Sequence, residues 1–260
     1  MKQYTLITGA SSGIGYEMAV LLAQKKHNLI LAARSVEKLK AMQVELISKY
    51  GIAVEYFEVD LSLKEEAHRL YLATSNDNLF VTGLINNAGV GLYGEFTSIS
   101  LEDELKMIEL NVSSLVALTK LYGNDMIKRR SGRIMNVASL LSFLPFPYYS
   151  TYSATKAFVL AYTETIAAEL EGTGVVVTAL CPGTVETPFH TNAMRKTNAM
   201  KANKPMPAYD VATAGVELFL KGRGKKIVGF MNWFLSNLPR VTPDFIMMKI
   251  KKNLASIRKD

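Results

Sequence analysis

Short apolar runs alternate with stretches of helical periodicity along most of the chain, and this alternation limits the fold more than any other feature. The runs that predict β-strands are Tyr4–Thr8, Leu29–Ala33, Val54–Val59, Gly83–Asn87, Arg133–Val137, Val175–Leu180 and Lys226–Val228. The stretches that predict helices are Ile14–Lys25, Val36–Lys49, Leu63–Thr74, Leu101–Arg129, Thr151–Glu171 and Ala208–Leu220. Several runs contain almost no polar residue, as expected of parallel strands covered on both faces. The pattern predicts an α/β fold with a doubly wound parallel sheet.

The chain has the length of one α/β domain. Its 260 residues, 49% of them hydrophobic, provide enough apolar surface for a sheet with helices on both sides. No repeat or linker interrupts residues 1–230, which we interpret as one domain. Residues 231–260 are predicted to form a short helical extension packed on that domain. Thr184–Pro207 lacks a regular pattern, and long loops of this kind often act as lids.

The composition excludes several classes of protein. The single cysteine, Cys181, cannot form an internal disulfide, which fits a reducing compartment. No apolar run reaches the roughly 18 uncharged residues that a membrane span needs. The first residues have the pattern of a strand and not of a signal peptide. We therefore expect a cytoplasmic location.

The charged residues and the histidines argue against two further kinds of site. The formal net charge is +7, but basic residues are mixed with acidic ones, and no basic and aromatic recognition pattern is visible. We therefore expect no nucleic-acid partner. His27, His68 and His190 lack the spacing of metal ligands, so no metal site is predicted.

A glycine-rich turn directly follows the first predicted strand. Its residues are Gly9, Ser11, Ser12, Gly13, Ile14 and Gly15. Glycines allow a tight turn and let the backbone approach a pyrophosphate without an intervening Cβ. The helix beginning near Ile14 would point free N–H groups and its positive dipole end at the phosphates. A plain strand–helix turn is the alternative, but the position between an N-terminal strand and a helix favours a dinucleotide site.

The end of the second predicted strand indicates which dinucleotide is bound. An Asp or Glu near this position holds the ribose 2′-hydroxyl of NAD, whereas an Arg suits the 2′-phosphate of NADP. Here the strand leads into Arg34 and Ser35, with no acid beside them. A solvent-exposed arginine at a helix start is the alternative. We interpret the pair as a preference for NADP and expect NADPH as the reduced cofactor.

Tyr152 and Lys156 form a pair within a predicted helix. Their spacing of four residues places both side chains on one helix face. Ser139 follows the fifth predicted strand, at the edge where open α/β sheets bind ligands. Asn111 lies inside a long predicted helix, an unusual place for an asparagine. Taken singly, Ser139 and Asn111 are equally well explained as caps or satisfied buried polar groups; the four together form a candidate catalytic set.

The chemistry of these side chains suits carbonyl reduction, which needs a hydride on carbon and a proton on oxygen. Tyrosine titrates near pH 10, and a nearby Lys156 ammonium would lower that pKa. Tyr152 would then act as general acid in reduction and as base in oxidation. The Ser139 hydroxyl would hold the substrate oxygen. Lys156 would also hold the nicotinamide ribose.

Several motifs stand in the order and at the spacing of a known family. They are Thr8-Gly9-Ala10-Ser11-Ser12-Gly13-Ile14-Gly15, Asn86-Asn87-Ala88-Gly89, Asn111, Ser139, Tyr152-Ser153-Ala154-Thr155-Lys156 and Cys181-Pro182-Gly183-Thr184-Val185-Glu186-Thr187. Over about residues 3–230, this set resembles the short-chain dehydrogenase/reductase family in its single-domain branch. The resemblance implies a Rossmann-type sheet of seven strands, a nicotinamide cofactor and an Asn-Ser-Tyr-Lys catalytic tetrad.

The resemblance also assigns roles to individual residues. The implied contacts on the adenine side come from Asp60, Leu61, Asn87, Ala88 and Gly89. The implied turn over the nicotinamide consists of Pro182, Gly183, Val185 and Thr187. Asn111 would anchor a water that connects Lys156 to solvent. For Asp60, an acid at a helix N-terminus is the alternative. Many NADP-preferring relatives carry a second basic residue in the glycine turn, where this chain has Ser12.

The segment between the candidate serine and tyrosine is strongly apolar over residues 140–149. Phe189, Met194 and Met200 add apolar side chains from the irregular loop. Apolar walls with few polar groups are normal for small-molecule sites, so a hydrophobic carbonyl or alcohol is the expected substrate. Packed core is the alternative for this segment.

Two other functions remain open. One is reduction of a 3-oxoacyl thioester in lipid metabolism. The other is NADP binding by a regulator without turnover, which the presence of Ser139, Tyr152 and Lys156 argues against.

The residues after 230 predict two short helices, separated by Pro239 and Pro243. Their apolar positions are Trp233, Phe234, Leu235, Leu238, Phe245, Ile246, Ile250, Leu254 and Ile257. The basic residues among them are Lys249, Lys251, Lys252, Arg258 and Lys259. Packing on the domain or over the pocket is the favoured interpretation. A basic amphipathic helix lying on an anionic membrane is the alternative.

The long helices predicted around Asn111 and Tyr152 carry more apolar residues than one sheet face requires. These include Leu110, Leu115, Leu118, Phe158, Leu160 and Ile166. We expect a homodimer or homotetramer formed through these helices, as the family resemblance also implies.

Overall fold

A seven-stranded parallel sheet forms the centre of the computed structural model, which describes residues 1–257. Its strands are β1 (Gln3–Thr8), β2 (Asn28–Ala33), β3 (Val54–Glu58), β4 (Phe80–Asn86), β5 (Gly132–Val137), β6 (Val175–Cys181) and β7 (Gly224–Ile227). Their spatial order is β3-β2-β1-β4-β5-β6-β7, and every neighbouring pair is parallel. The order reverses between β1 and β4, which confirms the doubly wound, Rossmann-type sheet.

Helices cover both faces of this sheet. They are α1 (Gly13–Gln24), α2 (Val36–Tyr50), α3 (Glu66–Asn76), α4 (Leu101–Ile108), α5 (Ser114–Lys128), α6 (Ser150–Glu169), α7 (Asn192–Arg195), α8 (Asn198–Ala202), α9 (Ala208–Lys221), α10 (Phe230–Asn237) and α11 (Asp244–Ala255). Helices α1, α2 and α9 pack on one face, and α3, α5 and α6 on the other. Neighbouring strand residues such as Leu6 and Ile7 point into opposite cores, and both are fully buried. This two-sided burial explains why the strands are apolar throughout.

The helix predicted over Leu101–Arg129 is interrupted, which corrects the sequence prediction. A π-helical turn at Glu109–Ser113 separates α4 from α5. Asn111 lies inside this turn, and its amide hydrogen-bonds the backbone of Val90 in a neighbouring loop. Periodicity alone does not reveal such a turn, because the apolar residues on either side keep a helical spacing. π-Helical turns are rare and occur often at functional sites.

The other elements follow the sequence prediction with small shifts at their ends. One shift concerns the helix predicted from Leu63, which begins at Glu66. The carboxylate of Asp60 accepts hydrogen bonds from the N–H and the hydroxyl of Ser62, at 3.0 and 2.7 Å. An aspartate that binds its own backbone two residues on closes a turn, and this turn delays the helix.

The irregular loop after β6 and the C-terminal helices pack together over the carboxyl edge of the sheet. The loop contains α7, α8 and a short two-stranded bridge. Asn198 Nδ2 of α8 donates to the carbonyl oxygen of Asn253 in α11 at 2.9 Å. We call residues 187–207 and 229–257 together the cap.

The C-terminal segment forms the two helices that the sequence predicts. Pro239 and Pro243 lie between α10 and α11. The side chain of Lys251 in α11 is buried, whereas the other two lysines of this helix, Lys249 and Lys252, are exposed. Arg258 and Lys259, part of the basic pattern noted in the sequence, lie outside the described residues.

The apolar residues that suggested a subunit contact belong mostly to the core of the chain itself. Leu110, Leu115, Leu118 and Leu160 are each at most 9% exposed. The argument from these four residues is therefore wrong, because their side chains are already buried in the hydrophobic clusters on the face of the sheet covered by α3, α5 and α6. Phe158, at 44% exposure, does lie on the surface.

The parallel sheet gathers the predicted site residues at one edge. Strands β1, β2, β4, β5 and β6 lead at their carboxyl ends toward Gly9, Arg34, Asn87, Ser139 and Pro182. Ligands of doubly wound sheets bind in the crevice outside these strand ends, where the strand order reverses.

Candidate active site

A cleft of about 850 Å³ lies along this edge. The predicted site residues that line it are Gly9, Ser11, Ser12, Gly13, Ile14, Arg34, Ser35, Asp60, Leu61, Asn87, Ala88, Gly89, Ser139, Tyr152, Lys156, Pro182, Gly183, Val185 and Thr187. Two predicted residues, Gly15 and Asn111, do not line it and lie behind its wall. The cleft runs from the end of β2 to the cap.

The glycine turn fits a pyrophosphate because side chains are sterically excluded from it. Gly9 has a φ of +65°, in the left-handed region that favours glycine. A Cβ at Gly15 would lie 2.4 Å from both the Gly9 oxygen and the Asn87 amide nitrogen. Asn87 Nδ2 donates to the carbonyl oxygen of Thr8 at 3.0 Å and holds the turn against β4. Any residue larger than glycine at position 9 or 15 would place its side chain against neighbouring atoms and fill the space that the turn leaves open, which we call the cradle.

The N-terminus of α1 opens into the same cradle. The helix begins at Gly13, and its cap residue Ser12 makes no side-chain hydrogen bond to it. No acidic residue lies in the first turn. Free N–H groups with a positive helix end and no competing carboxylate suit the two phosphates of a dinucleotide.

The residues after β2 would hold the adenosine end of the cofactor. Arg34 and Ser35 are exposed there and line the cleft. Lys38, which the sequence argument did not single out, lines the cleft as well. It lies in the first turn of α2, which begins at Val36 directly after Arg34 and Ser35, and this closeness in the chain was the available signal. The site therefore offers two cations to a 2′-phosphate, although Ser12 is neutral.

Three of the four predicted catalytic side chains meet in the middle of the cleft. Ser139, Tyr152 and Lys156 are all less than 10% exposed. Lys156 Nζ donates to the carbonyl oxygen of Val137 at 2.8 Å. Ser139 Oγ accepts a hydrogen bond from the N–H of Leu141 at 3.1 Å, so its own hydrogen is free to donate elsewhere.

Burial sets the protonation of the tyrosine and the lysine. It raises the pKa of Tyr152 to about 12, and a hydrogen bond with Ser139 offsets part of that rise. The sequence led us to expect a lowered pKa for Tyr152; the pKa is raised instead, because removal of the phenol from water disfavours the phenolate. Burial likewise lowers the pKa of Lys156 to about 8. At neutral pH the tyrosine thus carries a proton to donate.

Asn111 supports this group from behind. Its Oδ1 accepts from the N–H of Val90 at 3.0 Å, and its Nδ2 donates to Val90 O and to Thr155 Oγ1 at 2.9 and 3.1 Å. A Cβ placed on Gly89 would lie 3.2 Å from Asn111 Oδ1 and 3.3 Å from Lys156 Nζ. The asparagine therefore joins the loop after β4 to α6 next to the lysine. Its link to a water stays a prediction.

The substrate side of the cleft is mostly apolar. From the segment after β5 it is lined by Leu140, Leu141, Leu144, Phe146 and Tyr149. From the cap it is lined by Phe189, Met200, Met231, Leu235 and Leu254, among others. Met194, expected in this wall, is fully buried in the cap instead. Leu235 and Leu254 belong to the apolar positions noted in the sequence, for which packing on the domain or over the pocket was expected, whereas Met231 was missed because nothing in its local pattern indicates what it covers.

Comparison with known protein families identifies the family of this chain. The sequence profile of the short chain dehydrogenases matches residues 3–198. This chain belongs to the short chain dehydrogenase family. It is therefore an NAD(P)-dependent oxidoreductase.

Three relatives of this short chain dehydrogenase illustrate its similarities. A very-long-chain 3-oxoacyl-CoA reductase of Pyrenophora tritici-repentis is 33% identical over 90% of this chain and 71% of the relative. The 17-beta-hydroxysteroid dehydrogenase type 3 of Mus musculus is 32% identical over 76% of this chain and 66% of the relative. A solved short-chain dehydrogenase from Sphingobium yanoikuyae in complex with NADPH is 28% identical, with a TM-score of 0.79, and the match covers 92% of this chain and 94% of that one.

Two other features of the dehydrogenase bear on its partners. None of the helices in residues 1–257 is long and apolar enough to cross a bilayer. The same part of the chain has no group of three or more His, Cys, Asp or Glu side chains that could hold a metal ion.

Proposed function

We propose that this dehydrogenase reduces hydrophobic carbonyl compounds with NADPH, with Tyr152 as the proton donor. The observation that carries the proposal is a protonated, buried Tyr152 between an apolar wall and a cleft that ends at Arg34 and Lys38. NADPH supplies the hydride when it is bound. The glycine turn would hold its pyrophosphate, and the two cations would hold its 2′-phosphate.

The protein's own side chains handle the substrate oxygen. The Ser139 hydroxyl, fixed by the N–H of Leu141, donates to the carbonyl oxygen and holds it beside Tyr152. The Tyr152 hydroxyl then donates its proton to that oxygen as negative charge develops there. One donor of the Lys156 ammonium is occupied by Val137 O, which leaves others for the nicotinamide ribose and for a forming phenolate.

Reduction of a 3-oxoacyl thioester is the second candidate function. Three of the relatives described as very-long-chain 3-oxoacyl-CoA reductases match 90 to 96% of this chain. A long acyl chain would suit the apolar wall formed by the cap and the segment after β5. The keto group of such a substrate would meet Ser139 and Tyr152 in the same way as that of a simple ketone.

A carbonyl panel separates these candidates. The wild-type enzyme is assayed for loss of NADPH absorbance with hydrophobic ketones, and with 3-oxoacyl-CoA of short and long chain, and NADH is run in parallel. Turnover that rises with chain length only for the thioesters selects the second function. If NADPH binds but no substrate is turned over, the proposal is contradicted. The chain would then act as a NADP-binding regulator without turnover.

The role of Tyr152 has a direct test. Tyr152→Phe removes the proton donor and leaves the ring in place, so turnover is expected to fall by about 10²–10⁴. NADPH affinity, measured by calorimetry, should stay within about twofold. Tyr149→Phe is the matched control, since Tyr149 also lines the cleft and packs beside Tyr152 but is not one of the four predicted catalytic residues; it should keep most of the activity. Near-normal turnover of Tyr152→Phe would overturn the assignment.

We also propose that the enzyme is cytoplasmic and forms a homodimer or homotetramer. The single cysteine, Cys181, is fully buried and unpaired, which supports a reducing compartment. The outer face of α4 and α6 carries exposed Leu101, Leu105, Ile108 and Phe158, and this face supports a contact between subunits.

A further inference from the structure

The positive charge of the chain is concentrated in the cap. The cap contains eight lysine and arginine residues and one acid, Asp244, so its net charge equals the +7 of the whole chain. All other residues together are neutral. Seven of the eight cations are exposed: Arg195, Lys196, Lys201, Lys204, Arg240, Lys249 and Lys252. The even mixture of charges inferred from the sequence thus holds outside the cap and fails within it.

Four of these cations have no acidic partner in the structure. Within residues 1–257, none of Lys201, Lys204, Lys249 and Lys252 takes part in an ion pair. Some surface cations elsewhere in the described chain do pair, as Lys225 does with Glu164, while others, such as Lys64 and Lys120, do not.

The cap also exposes an unusual share of apolar surface. Ten of the twenty-one exposed large hydrophobic residues in the described chain lie between Phe230 and Ile257. Phe230, Trp233 and Phe234 share one face of α10, and the rings of the first two stack with centroids 5.9 Å apart. Phe230 is 78% exposed. Such a patch on a soluble domain marks an interaction site.

The outer face of α11 combines both properties. Phe245 and Met248 are exposed, and each is followed one helical turn later by an exposed lysine, Lys249 or Lys252. Lysines flanking apolar side chains can extend their ammonium groups toward lipid phosphates while the apolar groups enter the boundary below them.

We propose that the cap docks on the surface of an anionic lipid bilayer. A bilayer of this kind takes both features at once, because its headgroups attract the cations and its boundary region accepts the aromatic side chains. A second copy of the chain fits less well, since a symmetric contact would place one cap of +7 against another. A nucleic acid would match the charge but leave the helix faces of Phe230 and Phe245 without an apolar partner.

The docking surface adjoins the substrate cleft. Met231 and Leu235 of α10 and Leu254 of α11 line the cleft, while neighbouring side chains of the same helices face outward. The two helices therefore separate the proposed bilayer from the cleft by a single layer. A substrate dissolved in the bilayer would reach the cleft beside these helices.

Vesicle flotation tests the docking without any substrate, so its outcome does not depend on the proposed function. The full chain is mixed with vesicles of phosphatidylcholine alone or of phosphatidylcholine with phosphatidylglycerol. Trp233 is the only tryptophan of the chain and reports entry into lipid through a blue shift and quenching by brominated acyl chains. We expect flotation and quenching with the anionic vesicles only, and loss of both at high salt.

Paired variants identify the surface. Lys249→Gln with Lys252→Gln should weaken vesicle binding by roughly tenfold or more, given the contribution of each basic residue near an anionic surface. Lys64→Gln with Lys120→Gln removes two exposed lysines outside the cap and should change nothing. Phe245→Ser should reduce Trp233 quenching, whereas Phe96→Ser, at an 83% exposed phenylalanine outside the cap, should not.

Several results would overturn the proposal. These are equal binding to both kinds of vesicle, no flotation with either, and equal effects of the cap variants and their controls. Tighter binding to a duplex oligonucleotide than to anionic vesicles would also overturn it. So would a dimer in light scattering that Phe245→Ser dissociates, because the cap would then be a subunit contact.

Discussion

Arg34 and Lys38 place two cations at one end of the cleft. A 2′-phosphate carries about −1.5 to −2 charges near neutral pH, by analogy with phosphorylated side chains. A charge-assisted contact to it is worth roughly 1.5–3 kcal/mol, and each 1.4 kcal/mol is tenfold in affinity. With Ser12 neutral, Arg34 alone would give a preference for NADPH in the lower part of a roughly ten- to hundredfold range. Because Lys38 adds a second cation, we expect a preference for NADPH in the upper part of this range.

Arg34→Ala should therefore weaken NADPH binding by at least about tenfold and leave NADH almost unchanged. Lys38→Ala should act in the same direction with a smaller effect, since its ammonium cannot bind bidentately. Lys40→Ala is the control, because Lys40 does not line the cleft and contacts Glu37 at 3.4 Å. Calorimetric titration of both cofactors measures the effects. An equal loss of NADPH and NADH in Arg34→Ala would contradict the assignment.

Lys156 illustrates a conflict between stability and chemistry in one residue. Burial lowers its pKa from 10.5 to about 8, which means that folding disfavours its charged form. Below pH 8 the lysine is charged in both the folded and the unfolded chain, and the full destabilisation applies. Between pH 8 and 10.5 the unfolded chain binds more protons, so stability rises with pH until the effect is gone.

Lys156→Met should therefore be more stable than the wild type at pH 7, by roughly 2–3 kcal/mol after loss of the hydrogen bond to Val137 O. The difference should shrink as the pH rises from 8 to 10.5. Urea denaturation across this range measures it, and the raised Tyr152 pKa, common to both proteins, cancels. The exposed Lys120→Met is the control and should show no such trend. A wild type more stable than Lys156→Met at pH 7 would refute the argument.

At the scale of elements, the π-helical turn between α4 and α5 determines which way Asn111 points. It turns Asn111 toward the loop after β4 and toward α6, so that one amide joins three parts of the chain. The residues of the turn keep the apolar spacing of a helix, which is why the sequence predicted one continuous helix over Leu101–Arg129. The turn of Asp60 and Ser62 before α3 has a different cause, in which a side chain competes with helical hydrogen bonds.

Asn111→Ala should destabilise the protein by roughly 1–3 kcal/mol, because the N–H and carbonyl of Val90 lose their partner in a poorly solvated place. Urea denaturation at neutral pH measures this loss. Asn253→Ala, at an exposed asparagine side chain of α11, should change stability by less than about 0.5 kcal/mol. Equal stability of the two variants would show that the amide contacts are not structural.

At the scale of the whole molecule, the exposed apolar side chains fall mainly on two separate surfaces. One is the face of α4 and α6, where Thr151 Oγ1 donates to Glu104 Oε1 at 2.8 Å and holds the two helices together. The other is the cap. The face of α4 and α6 has no excess of positive charge and therefore suits a contact between identical subunits. The positively charged cap suits binding to an anionic bilayer.

Leu105→Lys combined with Phe158→Lys should convert the expected oligomer to a monomer, because four new charges per dimer would be buried without partners. Light scattering at micromolar concentration measures the mass. Leu72→Lys, at a 45% exposed leucine of α3, is the control and should leave the oligomer intact. A wild-type protein that is already monomeric would disprove the expected oligomer.

The sequence by itself determined the sheet, its seven strands and most residues of the cleft. Each of these depends on local chemistry: apolar runs for two-sided burial, glycines for the turn after β1, and a helical spacing for Tyr152 and Lys156. Parallel strands end at one edge, so motifs placed after strands had to converge there.

The tertiary structure alone decided what depends on distant residues. It buried Leu110 and Leu160 in the core and placed Met231 and Leu254 in the cleft wall. It also joined residues 187–207 to residues 229–257, which separated the charge of the cap from that of the domain. Periodicity records only which face of an element is apolar. What that face packs against is fixed by contacts between residues far apart in the chain.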